Sequence, residues 1–406
     1  MTVENHAQTH AHAERSAVKS VRLHYIDWLR VLAILGVFLF HTVRPFDEIP
    51  FEINNAEQSI LATLFIIFFA PWGMPLFFFL SGAGSWFALR RRTGRQYAVE
   101  RVQRLLIPFV VGCLLLSPIQ LYFQWLHQTQ TGEFVGTLWE FFARREIPFS
   151  PAVFGWAGYH LWFLGFLFAF SLIALPLFMW FKRDAGQRTI DWLARLGQRR
   201  GGLLLFVIPL VIIQLILRPN FRAYQDWADC VNMLAYFVYG YILYADERFA
   251  PAVRRDWPLT LAGGVLCTLL IFFGGSIGLV YEWIDSPDTP GFYLYWSVWS
   301  IYGWCWMLFV LYIGMRYLDF TNRWLVYGRE TIVPFYLFHH PVIIGIAFFV
   351  VQWDTGITVK WLVVVLASLL VTLGLVELVK RIKVLRGLFG MKTRRREGIP
   401  RETETV

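Results

Sequence analysis

Chemistry in this chain must come from a small stock of polar residues set in apolar surroundings. The most informative pair is Arg30 and His41, with ten residues between them. On an α-helix that spacing is close to three full turns, so both side chains lie on one face, roughly 16 Å apart along the axis. Asp27 and Arg44, each three residues beyond one member, extend the stripe. An imidazole titrates near neutral pH and can take a proton from a hydroxyl. A guanidinium stays charged and can hold an anion. The competing explanations are snorkelling for Arg30 and an interfacial position for His41.

Other polar clusters interrupt apolar runs. Arg101 and Arg104, at i and i+3, present two guanidinium groups from one helical face, an arrangement suited to a phosphate-rich ligand. Arg90 to Arg95 just before them read as an ordinary basic loop. His160 lies in Gly158-Tyr159-His160-Leu161-Trp162, where an aromatic belt explains Tyr159 and Trp162 better than it explains the histidine. His339 and His340 sit in Tyr336-Leu337-Phe338-His339-His340-Pro341. Neighbouring positions are about 100° apart on a helix, so the two histidines are predicted not to face one partner: one turns to a polar interior and the other bonds a neighbouring helix. Glu377, followed by Lys380 and Arg381, reads as a snorkelling ion pair. The sequence has no Cys/His zinc pattern, Walker loop, Gly-x-Ser-x-Gly elbow or dinucleotide fingerprint. No metal site is expected, and Cys113, Cys230, Cys267 and Cys305 read as buried small hydrophobes.

The elements that position these residues follow from composition. Of 406 residues, 57% are hydrophobic and only 16% charged, against about a quarter charged in soluble domains. The predicted fold is therefore an all-α integral membrane protein. A spanning helix needs about 20 mostly apolar residues. Ten candidates fit, at 25–43, 59–89, 105–125, 158–181, 202–217, 230–245, 258–280, 293–315, 331–351 and 361–379. The second holds Pro71, Gly73, Pro75 and Gly82 and is predicted to be kinked or broken. The outer loop 126–157 is expected to pack as a short helix or re-entrant element.

The connecting segments alternate in charge. One set carries 30 of the 37 Lys and Arg and the other 6, with Arg30 left over. Basic residues concentrate in cytoplasmic loops, which puts both termini in the cytoplasm. Topology thus accounts for the net charge of +9 without nucleic-acid binding. Residues 1–22, with His6, His10 and His12, read as a disordered cytoplasmic tail rather than a signal peptide. A membrane domain over 23–383 and a basic cytoplasmic tail over 384–406 complete the organisation.

Taken together, these residues resemble the integral-membrane acyltransferase 3 family. Arg30 and His41 are similar to its principal motif. Phe78-Phe79-Leu80-Ser81-Gly82 followed by Arg101, Arg104 and Pro108 resembles its second block. His160-Leu161-Trp162-Phe163-Leu164 and Phe338-His339-His340-Pro341 look like the branch of that family named for glucan biosynthesis protein C. The similarity runs from about Tyr25 to Lys383. It implies a multi-pass protein of a bacterial inner membrane that takes acyl-CoA from the cytoplasm as cosubstrate, with no permanently bound cofactor. It implies a succinyl or acetyl group and an extracytoplasmic carbohydrate acceptor such as a periplasmic glucan. It further implies His41 as catalytic base and Arg30 as organiser of the donor site. Arg101 and Arg104 would bind the donor, and His160, Trp162, His339 or His340 would orient the acceptor or stabilise the oxyanion. The rival reading is a polytopic transporter or exporter of a sugar or lipid-linked substrate, whose polar stripe would line a permeation path.

The charge partition makes a direct prediction. A cysteine placed at Asp288 should react with an impermeant maleimide added outside, and one at Arg394 only after permeabilisation. Labelling of both from the same side would overturn the assignment.

Overall fold

The computed structural model describes residues 23–391. The expectations for residues 1–22 and for the chain beyond 391 lie outside the described residues. Helices joined by short loops make up the described chain, with no β-strand among those residues. In lipid each backbone N–H and C=O has to be satisfied within its own segment, and a helix does this unaided.

Eight stretches are long and apolar enough to cross a membrane: His24–Phe46, Ile60–Leu89, Gly94–Thr131, Val153–Ile173, Phe249–Ser276, Pro290–Tyr317, Arg323–Val350 and Ile357–Arg381. The other two segments expected to span are helical as well. Gly202–Leu217 is apolar but short. Trp227–Ala245 carries Asp229 and a buried Asn232, which dilute its apolar signal. Helices used below are α1 (His24–Val43), α2 (Ile60–Leu89), α3 (Gly94–Arg101), α4 (Ile107–Leu115), α5 (Ser117–Thr131), α6 (Trp162–Ile173), α7 (Trp227–Ala245), α8 (Phe249–Ser276), α9 (Pro290–Tyr317), α10 (Arg323–Val350) and α11 (Ile357–Arg381). The expected element at 126–157 is present as the end of α5 and two short helices, Leu138–Ala143 and Val153–Gly158.

Packing selects the centre. Helix α10 lies against α1, α5 and α11, while α2 packs along α7 and α9. Of the kink or break expected in α2, the break is absent: Ile60–Leu89 is one uninterrupted helix that contains Pro71 and Pro75. A proline interrupts the backbone ladder one turn earlier, and neighbouring helices can re-satisfy the freed carbonyls. Close by, the Tyr302 hydroxyl of α9 donates to the Phe68 carbonyl at 3.2 Å and ties the two helices together. The chain after α11 stays packed on the bundle as far as residue 391. Lys383–Leu388 is a short helix, Arg386 reaches Glu330 at 3.3 Å, and the Phe389 ring lies 4.8 Å from that of Phe338. Glu377 pairs with Lys380 at 2.8 Å as the sequence suggested, and also accepts from the Tyr327 hydroxyl at 2.8 Å.

The α2–α7 contact is a backbone-to-backbone crossing. A Cβ on Gly82 would fall 1.9 Å from the Phe237 carbonyl oxygen, and one on Gly240 would fall 1.8 Å from that of Phe79. Small residues allow such crossings in membranes, where apolar burial gives helices little reason to associate. Gly82→Ala and Gly240→Ala should each destabilise the fold by about 1–3 kcal/mol through overpacking. Gly374→Ala, which meets open space, should be neutral or slightly stabilising. Thermal unfolding in detergent decides, and equal midpoints for all three would contradict the crossing.

Candidate functional site

Four histidines from three distant parts of the sequence meet in one place. The His41 ring, in the last turn of α1, lies 4.3 Å from the His340 ring and 5.4 Å from that of His339, centroid to centroid. His160, just before α6, stacks on His340 at 4.7 Å and meets His339 edge-on at 5.2 Å. The sequence expectation that His339 and His340 would share no partner is therefore corrected, while one of them, His340, does bond a neighbouring helix as expected, through Gln120 of α5. Their rings are 6.2 Å apart, and both His41 and His160 contact both of them. Two side chains 100° apart can share partners when those partners occupy the wedge between them.

Hydrogen bonds fix three of the four rings. The Tyr336 carbonyl accepts from His339 Nδ1 at 2.6 Å and from His160 Nε2 at 3.1 Å. The Tyr336 hydroxyl returns a bond to the His160 carbonyl. His340 Nδ1 bonds Gln120 Oε1 of α5, whose Nε2 in turn donates to the Leu116 carbonyl at 3.3 Å. A ring nitrogen facing an oxygen acceptor must carry the proton, so these partners assign N–H to His160 Nε2, His339 Nδ1 and His340 Nδ1. The opposite nitrogens of His160 and His339 are buried with no hydrogen-bond partner, and so is His41 Nδ1. Only His41 lacks an acceptor that pins its ring. Backbone geometry contributes too: Tyr159, preceding His160, has φ of +51°, a region costly for a non-glycine residue and frequent at functional sites.

Pro341, inside α10, supplies no N–H to the Leu337 carbonyl, the next carbonyl after that of Tyr336. A cavity of about 140 Å³ is lined by Tyr336, by Arg30, Ile34 and Val37 of α1, by Phe77 and Ser81 of α2, and by Phe163 among others. Arg30, Ile34 and Val37 lead to His41 at helical spacing, so the single-face stripe read from the sequence is present. Arg30 donates to the Leu80 carbonyl at 2.6 Å and sits 3.7 Å from Asp27. Gly84 gives it room, since a Cβ there would lie 2.6 Å from Nη2.

The other expected site residues lie apart from the cluster. Between Arg101 and Arg104 the helix makes a five-residue π turn, Val102–Leu106, so their spacing is not that of a regular α-helix. Arg101 stacks 4.4 Å over the Tyr97 ring with Nε buried and unpartnered, whereas Arg104 pairs with Glu100 at 3.2 Å. Trp162 packs against Phe78, Phe166 and Tyr224. Sequence reasoning missed a cleft of about 910 Å³ at the Arg30 end, where Arg90, Lys182 and Arg254 share walls with Trp86, Tyr241 and Tyr244. It also missed Gln120, although an amide inside an apolar run was a usable signal. Among the described residues, no three His, Cys, Asp or Glu side chains converge as a metal site.

Comparison with known proteins gives the chain a family. A family model described as an acyltransferase domain matches residues 23–377. The chain is 23% identical over 388 residues to the glucans biosynthesis protein C of Salmonella schwarzengrund, covering 93% of this chain and 97% of that protein. The proteins of the same name from Salmonella paratyphi A and Salmonella gallinarum show the same identity and coverage. No solved structure matches.

Gln120 tests the hydrogen-bond assignment without reference to activity. Gln120→Leu strands the His340 Nδ1 proton in a buried site and should cost about 1–3 kcal/mol. Gln120→Glu keeps an acceptor and should retain more stability. Equal melting of the two variants would contradict the assignment.

Proposed function

The chain belongs to the acyltransferase family, and on that premise we propose that it transfers a succinyl or acetyl group from cytoplasmic acyl-CoA to a hydroxyl of an extracytoplasmic carbohydrate. A periplasmic glucan is the acceptor class suggested by the name of its relatives. The proposal places the protein in a bacterial inner membrane, with acyl-CoA as cosubstrate. The observation that carries it is the cluster of four histidines, next to an apolar cavity that Tyr336 and Arg30 both line.

A thioester entering from the Arg30 end would extend its acyl carbon toward His41, with the pantetheine arm along the apolar walls. His41 takes the hydroxyl proton as the sugar oxygen attacks the thioester carbon. The tetrahedral intermediate collapses with cleavage of the C–S bond, and the proton held by His41 passes to the departing thiolate. Ester and free CoA result. His41 suits the role because its ring is the one that no protein acceptor ties to a tautomer.

The same hydrogen bonds refine the secondary roles. His160 and His340 were candidates for stabilising an oxyanion, which requires donors. Their N–H protons already face oxygen acceptors. As neutral rings, the fixed histidines therefore suit accepting from and orienting the sugar hydroxyl. Protonated His41 is the donor available to the oxyanion. On the donor side Arg101, with an unpartnered Nε, is the stronger phosphate ligand, and Arg104 is partly neutralised by Glu100.

His41→Gln and His41→Ala should insert normally and bind acyl-CoA, while acceptor-dependent CoA release falls by roughly 10²- to 10⁴-fold. Near-normal turnover in His41→Gln would move the base to another histidine. In isothermal titration, Arg101→Ala should weaken acyl-CoA binding more than Arg104→Ala, and Arg91→Ala should do little. Equal affinities would remove both arginines from the donor site.

A further inference from the structure

The loop between α1 and α2 is held on several sides. Arg44 pairs with Asp47 at 2.7 Å and donates to the Pro50 carbonyl at 2.8 Å. Asp47 also accepts from the Ile49 amide at 2.7 Å. Beyond residue 52, the Asn54 amide reaches His127 Nε2 at 3.1 Å, and buried Lys360 donates to Asn55 Oδ1 at 2.9 Å. Between these anchors stands Glu52, whose Oε2 is sealed from solvent and has no hydrogen-bond partner. Burying a carboxylate oxygen unsatisfied is costly, and a well-anchored loop would not bear that cost without a use for it.

Its surroundings indicate the use. The neighbouring Phe51 ring lies 5.8 Å from His340 and 6.5 Å from His41, so Glu52 is one residue from the cluster. Arg44 and Arg145 are within electrostatic reach, and so is the Tyr159 phenol. Each guanidinium is engaged elsewhere: Arg44 as described, Arg145 with the Trp156 carbonyl at 2.7 Å. Arg145 also lies over the rings of Tyr159 and Trp156, at 4.9 and 5.6 Å. From Trp156 the aromatics continue outward to Phe142 at 6.1 Å and to largely exposed Trp139 at 5.8 Å from Phe142.

We propose that Glu52, together with Trp156 and Tyr159, forms the subsite that holds the acceptor sugar beside the histidine cluster. In it the Glu52 carboxylate accepts hydrogen bonds from sugar hydroxyls, and the aromatic rings carry the sugar's apolar faces. This rests on the acyl-transfer reading above. The charges favour a neutral polyhydroxylated ligand. A cation would meet Arg44 and Arg145, and an anion would meet Glu52. Hydroxyls can instead donate to the carboxylate, and amphipathic rings give large contact area at small entropic cost. Burial pushes the Glu52 carboxyl up to about 6, with its own backbone N–H, Arg44 and Arg145 opposing the rise. That is the behaviour of a carboxylate whose lost water the protein has not fully replaced.

The test uses the full-length protein, acyl-CoA and a neutral glucan oligosaccharide. Acceptor KM, donor KM and kcat are measured for wild type, Glu52→Gln and Glu52→Ala, with Glu57→Gln, exposed on the same loop, as control. Losing one charge-assisted hydrogen bond should raise the acceptor KM by roughly tenfold in Glu52→Ala, and less in Glu52→Gln, which keeps a neutral acceptor. The donor KM should change less than the acceptor KM, and Glu57→Gln should match wild type. Wild-type protein that acylates no glucan would sink the acyl-transfer reading and this inference with it. Wild-type turnover with an unchanged acceptor KM in both Glu52 variants would overturn the subsite alone. So would failure of both variants to fold, because Glu52 would then be a structural residue.

Discussion

An imidazole N–H taken out of water must find an acceptor, and at the centre of this bundle that acceptor is the Tyr336 carbonyl. It receives His160 from one side and His339 from its own helix. The Tyr336 hydroxyl then reaches back to the His160 carbonyl, so the start of α6 and the middle of α10 are locked by a reciprocal pair. Helix α5 joins through Gln120 and His340. Removing these contacts would leave several polar groups stranded in an apolar interior. The arrangement is costly to alter and accordingly sets where α1 can place His41.

From this constraint follows a division along the molecule. Arginines and an aromatic cleft occupy the end where α1 begins, and the histidine cluster occupies the end where α1 finishes. Arg30 and Tyr336 both line a mainly apolar cavity. In the proposed reaction a polyanionic donor and a neutral sugar approach from opposite sides and meet only at the cluster. Such separation keeps water and competing nucleophiles away from the thioester.

Much of this was legible in the sequence, for reasons that differ by residue. Helical periodicity alone put Arg30 and His41 on one face, and Ile34 and Val37 between them line the cavity as that face requires. His160, His339 and His340 stood out because ionisable groups in apolar spans are costly. Their convergence was not legible, since it depends on how α1, α6 and α10 pack rather than on any one helix. The 100° between His339 and His340 did not separate their partners, because the His41 and His160 rings from other elements fill the wedge between them. Of the kink or break expected at the prolines of α2, the break did not occur, in a helix packed along both α7 and α9. Glu52 was invisible for the opposite reason, because a glutamate in a polar loop carries no signal until the loop is seen to bury it.

The central claim is that donor and acceptor reach one histidine cluster from opposite faces of the membrane. Sealed vesicles holding the protein with its basic loops outward, with glucan trapped inside and labelled acyl-CoA added outside, test it most directly. Labelled glucan should appear in the lumen, dependent on His41, while the CoA released stays outside. Acylation only when donor and glucan share a compartment would contradict it.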